Sequence, residues 1–359
     1  MANDTGKMIL QHLSLQNFRT YSKAAFDFDP QTTVIIGPNA IGKTNLLEAI
    51  YIAATGKSFK SEKEGQVIQF GKQACRVKAS IEEESTTELE VVLSQAATNY
   101  LQRKYLVNGV PKRRVDFASH MQVVLFTPLD LDIVSGQPSS RRNYLNEILE
   151  QTDPEYRLAF GQYTKALRQR NALLEQAQEG GYRDEERFAY WDELLISNGQ
   201  LITDRREELI EYINAGEKHL FPFTLEYDKS LISEERLGQY RHAEIGAGVT
   251  LVGPQRDDVL IKASQKGSKT LEAVKHFCSR GQQRLVTLEL KKLQIAYIKE
   301  QAGAEPLLLL DDIFSELDAA HIELVLKLIG KNQTILTTTH KEFVSENMPE
   351  KPHMIELNQ

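Results

Sequence analysis

Apolar residues along the first third of the chain fall in short runs. Residues 8–15 and 26–29 read as opening strands. Thr32-Thr33-Val34-Ile35-Ile36 is a β-branched run, and Leu46-Leu47-Glu48-Ala49-Ile50-Tyr51-Ile52-Ala53-Ala54 after it reads as a helix. Glu88-Leu89-Glu90-Val91-Val92-Leu93 and Lys104-Tyr105-Leu106-Val107 predict an antiparallel meander, with a turn at Asn108-Gly109. Val123-Val124-Leu125-Phe126 predicts a buried strand. The period then changes. From about residue 139 to 220 the pattern is long, charged and helical, and Trp191, Leu194, Leu195, Ile202, Leu209 and Ile213 recur at helical spacing. The Glu179-Gly180-Gly181 break divides it into two helices, an antiparallel arm. From about residue 251 strands and helices alternate again, with buried runs at Leu307-Leu308-Leu309-Leu310 and Thr334-Ile335-Leu336-Thr337. The expected organisation is an α/β lobe in two parts, 1–135 and 246–359, interrupted by a helical arm over 136–245.

Composition narrows this picture. A chain of 359 residues with 41% hydrophobic content is globular and long enough for two or three domains. A net charge of −7 argues against a wholesale polyanion binder, so a nucleic-acid surface would be a local basic patch. Cys75 and Cys278 suggest neither a disulfide framework nor a zinc site. No apolar run reaches the ~20 residues of a membrane span, and the N-terminus lacks a signal-peptide core. A cytoplasmic protein is expected.

Between the third strand and its helix lies Gly37-Pro38-Asn39-Ala40-Ile41-Gly42-Lys43-Thr44-Asn45, which fits G-x-x-x-x-G-K-[ST]. Glycines let successive N–H groups face one point, and the helix N-terminus adds positive potential there. Lys43 would reach the β- and γ-phosphates of a nucleotide and Thr44 would bind Mg²⁺. Asp311 and Asp312 end the Leu307–Leu310 run at the carboxyl end of a parallel strand, where ligands of such sheets bind. Asp311 would hold Mg²⁺ through water, and Asp312 would orient or deprotonate the attacking water. Ser279-Arg280-Gly281-Gln282-Gln283-Arg284 opens a long helix, and Ser279 with Gln282 fits a capping box. That helix end reads either as an ordinary cap or as a surface that meets the nucleotide of a second subunit.

Taken together the motifs resemble the RecF family, within the structural-maintenance-of-chromosomes and Rad50-like heads of the ABC ATPases. Leu15-Gln16-Asn17-Phe18-Arg19 resembles the family's N-terminal strand, whose arginine lies near the phosphates, and residues 37–45 are its Walker A. Pro138, Arg141, Arg142, Tyr144 and Leu145 resemble its G-x-P-x-x-R-R-x-[FY]-L element, and Gly253-Pro254-Gln255-Arg256-Asp257-Asp258 its G-P-H-R-D-D. Ser279, Gly281 and Gln282 sit in the signature motif, Asp311 and Asp312 in Walker B, Ser315 and Asp318 in the D-loop, and His340 at the switch histidine. Departures are Ala40 where Gly is usual, which should be tolerated if φ is negative there, Gln255 for His, and Gln137 for a small residue. Asp312 is shorter than the Glu of many ABC ATPases, which implies slow hydrolysis.

The resemblance implies an ABC-ATPase-like P-loop domain, interrupted by a helical arm, that uses ATP and Mg²⁺. Lys43, Asp312 and His340 would serve catalysis, and Ser279, Gly281 and Gln282 would seal the ATP of a second subunit in a head-to-head homodimer. It further implies an ATP-gated clamp on DNA in recombinational repair, partnered by RecR and RecO in loading RecA, with no membrane partner. The basic groups Lys112, Arg113 and Arg114, then Arg141 and Arg142, then Arg168 and Arg170 are candidate DNA contacts, though each also reads as a solvated face or an internal ion pair. Rival readings are a transporter ATPase, which would lack the arm, a small-molecule kinase, which would need neither Ser279 nor a D-loop, and a structural head that binds DNA without turnover.

Overall fold

The computed structural model describes residues 8–60, 64–95, 101–180, 185–264, 270–316, 319–329, 332–339 and 352–358. The chain divides into two compact units, Met1–Asp130 with Lys291–Gln359, and Leu131–Leu290. In chain order the first unit begins with strands β1 (Ile9–Phe18), β2 (Tyr21–Asp27) and β3 (Thr32–Ile36), then helix α1 (Lys43–Thr55). Strands β4 (Ala74–Glu82), β5 (Thr86–Gln95), β6 (Leu101–Val107) and β7 (Val110–Lys112) follow, then α2 (Arg114–Phe117) and β8 (Val123–Phe126). The second unit holds α3 (Asp132–Ser135), α4 (Pro138–Thr152), α5 (Pro154–Gly180), α6 (Glu185–Ala215), β9 (Thr224–Asp228) and α7 (Glu234–Ala247). It ends with β10 (Asp258–Ser264), β11 (Leu271–Ala273), α8 (Val274–Phe277) and the start of α9 (Arg280–Ala302). The chain then completes the first unit with β12 (Leu307–Asp311), α10 (Ala319–Ile329), β13 (Thr334–Thr338) and β14 (His353–Glu356).

The first unit is built on two sheets. One is antiparallel, in the order β2-β1-β4-β5-β6-β7. Asn108 and Gly109, both at positive φ, close the hairpin between β6 and β7, as two-residue turns of this type require. The other sheet has the order β14-β3-β13-β12-β8, and the pairs among its strands are parallel. Helix α1 is buried almost all round, and its Leu46, Leu47, Ile50 and Ile52 share one core with Leu13, Val77 and Leu89 of the antiparallel sheet and Ile35, Leu309 and Ile335 of the parallel one. A helix apolar on every face is stable only in such a position. The arrangement fixes the N-terminal end of α1 at the carboxyl edge of β3. Strand β13 lies between β3 and β12, and Asp311 is in register with Thr337.

The second unit contains the predicted arm. Arg205 pairs with Glu155 toward one end of α5 and α6, and Arg170 with Asp192 toward the other, so the helices are antiparallel. Its first boundary, at 130/131, is close to the expected 135/136. The second falls at 290/291 rather than 245/246, within α9, because the segment after α7 closes on the arm. There β10 pairs with β9, and the Arg141 fork grips Asp258 at 2.7 and 3.0 Å. The Ser279 motif therefore belongs with the arm. Among the described residues no helix is long and apolar enough to cross a membrane.

Candidate nucleotide site

The loop from Gly37 to Gly42 joins β3 to α1. Gly42 is the N-cap of α1 at φ +116°, a conformation that favours glycine, and a Cβ there would fall 3.0 Å from both Thr20 Oγ1 and the Tyr21 hydroxyl. The Tyr21 hydroxyl donates to the Gly42 carbonyl at 3.1 Å, which pins the loop from the antiparallel sheet. A Cβ on Gly37 would stand 2.9 Å from the Leu357 carbonyl. Ala40 departs from expectation. Its φ is +65°, in the left-handed region, so the alanine is accommodated at a strain of about 1–2 kcal/mol rather than at a negative φ.

Lys43 is 7% exposed, and its Nζ donates to the Gly37 carbonyl at 2.7 Å and the Pro38 carbonyl at 3.0 Å. Burial lowers its pKa, while the charges of Asp312 and Asp311 oppose that shift. The amine is thus wrapped by its own loop, within electrostatic reach of Asp312 and Asp311. Thr44 Oγ1 donates to Asp311 Oδ1 at 2.9 Å, joining positions 267 residues apart. Thr337 Oγ1 donates to the same oxygen at 2.9 Å and accepts from the Asp312 amide at 3.0 Å. Burial raises the Asp311 pKa, opposed by the hydrogen bonds from Thr44 and Thr337. Asp312 follows at φ +49°, which turns the chain away from the strand.

Arg19 lies beside this loop. Its Nε and Nη2 fork onto Glu48 at 2.9 and 2.6 Å, one helical turn after Thr44, and its Nη1 donates to the Gln66 carbonyl at 2.9 Å. Ser58 Oγ also donates to Glu48, at 2.6 Å. Asn45 bridges Thr20 Oγ1 and Lys60 Nζ, each at 3.3 Å. Burial lowers the Lys60 pKa, against the charges of Glu48 and Asp311. The sequence reading missed Glu48, Lys60, Tyr21 and Thr337. A single carboxylate inside the apolar helix Leu46–Ala54 is the signal that could have exposed Glu48; Thr337 carries none.

The other candidates divide. At the start of α9 the Ser279 amide donates to Gln282 Oε1 at 2.9 Å, and the Gln282 amide to Ser279 Oγ at 3.3 Å, a reciprocal capping box. Open space surrounds Gly281, where an added Cβ would meet only Ser279 Oγ, 4.0 Å away. Arg141, a candidate DNA contact, is 4% exposed and consumed by Asp258 and the Gly136 carbonyl; it is an internal pair. Arg170 is likewise buried, between Asp192 and Glu244. Arg142 donates to the Asp257 carbonyl, and Arg114 to the Thr55 carbonyl at the end of α1. Arg113 is exposed and pairs with Asp116. Ser315 lies in the 3-10 turn Ile313–Glu316, whereas Asp318 and His340 lie outside the described residues.

Among the described residues no group of three His, Cys, Asp or Glu converges to cage a metal. What converges is the Asp311 carboxylate with two hydroxyls on one of its oxygens, Thr44 from the loop side and the buried Thr337 from β13. That donor set suits Mg²⁺, which is usually held by one or two carboxylates together with substrate phosphates and waters.

A family model described as the RecF/RecN/SMC N-terminal domain matches residues 9–359. The "DNA replication and repair protein RecF" of Thermosynechococcus vestitus is 36% identical, over 93% of this chain and 91% of its own. The protein of that name from Lacticaseibacillus casei is 34% identical over 98% of both chains. The solved structure of a "recombination mediator protein RecF-ATPrS in RecFOR pathway" superposes with a TM-score of 0.85 at 26% identity, covering 99% of this chain and 97% of that one. A Pyrococcus furiosus Smc head domain shares the fold, with a TM-score of 0.52 at 16% identity over 97% and 93% of the two chains.

Proposed function

The chain belongs to the RecF family, within the RecF/RecN/SMC N-terminal domain group, and from that premise we propose that it is an ATP-switched protein of DNA repair. The observation that carries this is the Thr44–Asp311 hydrogen bond, which joins the two halves of the nucleotide site. The loop at 37–42 would take the phosphates, with Lys43 released from the Gly37 and Pro38 carbonyls toward them. Thr44 and Asp311 would hold Mg²⁺. Bound there, the ion would neutralise charge on the β- and γ-phosphate oxygens. Asp312, held at its amide by Thr337, would orient and deprotonate the attacking water, with His340 as the switch at the γ-phosphate. The fork on Glu48 and the bond to the Gln66 carbonyl hold Arg19 beside α1, and it would have to exchange one of these partners to meet a phosphate.

Ser279, Gly281 and Gln282 would act in trans. The capping box holds Ser279 in place, and the lack of a side chain at Gly281 lets another surface approach the first N–H groups of α9. Ser315 and Asp318 would complete the dimer contact. Two nucleotides would then close a head-to-head dimer on DNA, slow hydrolysis would open it, and partners of the RecO and RecR type would use the clamp in loading RecA. Exposed Arg113 remains a candidate DNA contact; Arg141 does not. Sedimentation of the protein with and without ATP-Mg²⁺ tests the scheme: a dimer is expected only with nucleotide, and Ser279→Arg should bind ATP as a monomer. A Ser279→Arg protein whose monomer loses ATP affinity would place the serine in cis, and a dimer indifferent to ATP would refute the clamp.

A further inference from the structure

Within the second unit, helices α4, α5 and α6 and the turn at Pro254 enclose a half-open pocket of about 190 Å³. Phe160, Leu167, Ile202 and Pro254 supply apolar walls, and Arg142 and Arg206 supply guanidinium groups. The two arginines differ. Arg206 is 2% exposed and satisfied, donating to Asp257 Oδ2 at 2.9 Å, the Pro254 carbonyl at 2.8 Å and Asn146 Oδ1 at 3.0 Å. The other carboxylate of the Asp257-Asp258 pair is taken by Arg141. Among the described residues Arg142 has only the Asp257 carbonyl, at 2.7 Å, and no carboxylate partner. Burial, and then the charge of Arg206, lowers its pKa, opposed by the nearby charges of Asp257 and Asp258, neither of which it pairs with directly.

The pocket therefore offers a planar, incompletely paired guanidinium beside an apolar wall. A guanidinium fork matches a carboxylate bidentately. Apolar walls disfavour a bare, fully hydrated anion and suit one carried on a hydrocarbon group. A cavity of about 150 Å³ lined by apolar residues takes up benzene, so this space suits one side chain. We propose that the pocket captures the C-terminal residue of a protein partner, its carboxylate on Arg142 and its aliphatic side chain against Phe160 and Leu167, with the buried Ile202 beneath them.

The test uses the full chain labelled at isoleucine δ1 methyls and N-acetyl-L-leucine as the probe. The Ile202 methyl resonance, assigned with Ile202→Val, should shift saturably at millimolar probe, whereas N-acetyl-L-leucinamide should bind about tenfold more weakly. Arg142→Gln, with its melting temperature measured in parallel, should lose the preference for acid over amide. Thr164→Trp, which narrows the mouth and keeps Arg142, should lose binding altogether. Equal binding of acid and amide, displacement by equimolar inorganic phosphate, or no response at Ile202 would each overturn the proposal.

Discussion

Thr337 is fully buried in β13, between the strands that carry the two halves of the nucleotide site. Thr337→Val keeps its shape and removes its hydroxyl. The hydroxyl makes two hydrogen bonds, one donated to the Asp311 carboxylate at 2.9 Å and one accepted from the Asp312 amide at 3.0 Å. A bond to a charged group is worth about 1.5–3 kcal/mol and a neutral one about 0.5–1.5 kcal/mol. Little is recovered from packing, since valine fills the same volume, so the expected loss of stability is about 2–4 kcal/mol. In a unit of this size that lowers the melting temperature by roughly 5–15 °C. Function should respond selectively. Thr337 fixes the rotamer of Asp311, and losing a group that orients a metal ligand typically costs 10–100-fold in metal affinity or activity. Affinity for ATP-Mg²⁺ should therefore fall by about that factor. Affinity for ATP in EDTA should be unchanged, because Lys43 and its loop are untouched. Urea unfolding and calorimetric titration with and without Mg²⁺ measure both. A stability change under about 0.5 kcal/mol, or equal weakening with and without the metal, would refute the latch.

Lys43→Ala should abolish tight ATP binding, and Lys43→Arg should bind without turnover because the bulkier fork misplaces the γ-phosphate; calorimetry with phosphate-release assays checks both, and an alanine variant of unchanged affinity would sink the assignment. Asp312→Asn should bind ATP-Mg²⁺, remain dimeric, and bind DNA more tightly than wild type in ATP but equally in ADP. Linkage requires DNA to raise ATP affinity by the same factor, and log K should fall with log salt at roughly −0.9 per phosphate neutralised. Anisotropy with labelled duplex reads these, and equal binding in ATP and ADP would remove the nucleotide gate. In the arm, burial raises the Asp258 carboxyl, but the Arg141 fork and the Val259 amide outweigh it and hold its pKa below the ordinary 3.8. A depressed carboxyl contributes stability above its unfolded value that is lost as pH falls through its folded value. Asp258→Asn should therefore cost about 3 kcal/mol at pH 7, and its gap from wild type should close as pH drops below 3.8; urea midpoints across that range decide, and a constant gap would contradict the pairing.

Much of the site was legible along the chain because its chemistry is local. The loop before α1 needs its glycines, Lys43 and Thr44 at fixed spacing, and flanking apolar runs declare the strand and the helix. Strand β12 reads as buried from four consecutive leucines, and the Ser279–Gln282 capping box spans only three positions. Ala40 shows the limit of such reading, since a residue name does not state its φ, and the surrounding loop imposed +65°.

Basic residues were the least legible. Arg113, Arg114, Arg141, Arg142 and Arg170 are alike in sequence, yet Arg113 is exposed while Arg141 and Arg170 are buried on carboxylates 117 and 22 positions away. The limits of the arm are hard to read for a related reason, because strand style resumes near residue 251 while β10 pairs back onto β9. By itself the sequence determined the strand and helix that flank the candidate phosphate loop, the two long helices on either side of Gly180, and the buried strand that ends at Asp311. These follow from periodicity and from residue types required within a few positions of one another. Only the tertiary structure decided that Thr44, Thr337 and Asp311 meet at one oxygen, that Glu48 holds Arg19, and which arginines are buried on carboxylates. Each of those depends on which distant group the packed sheets and helices bring within hydrogen-bond reach.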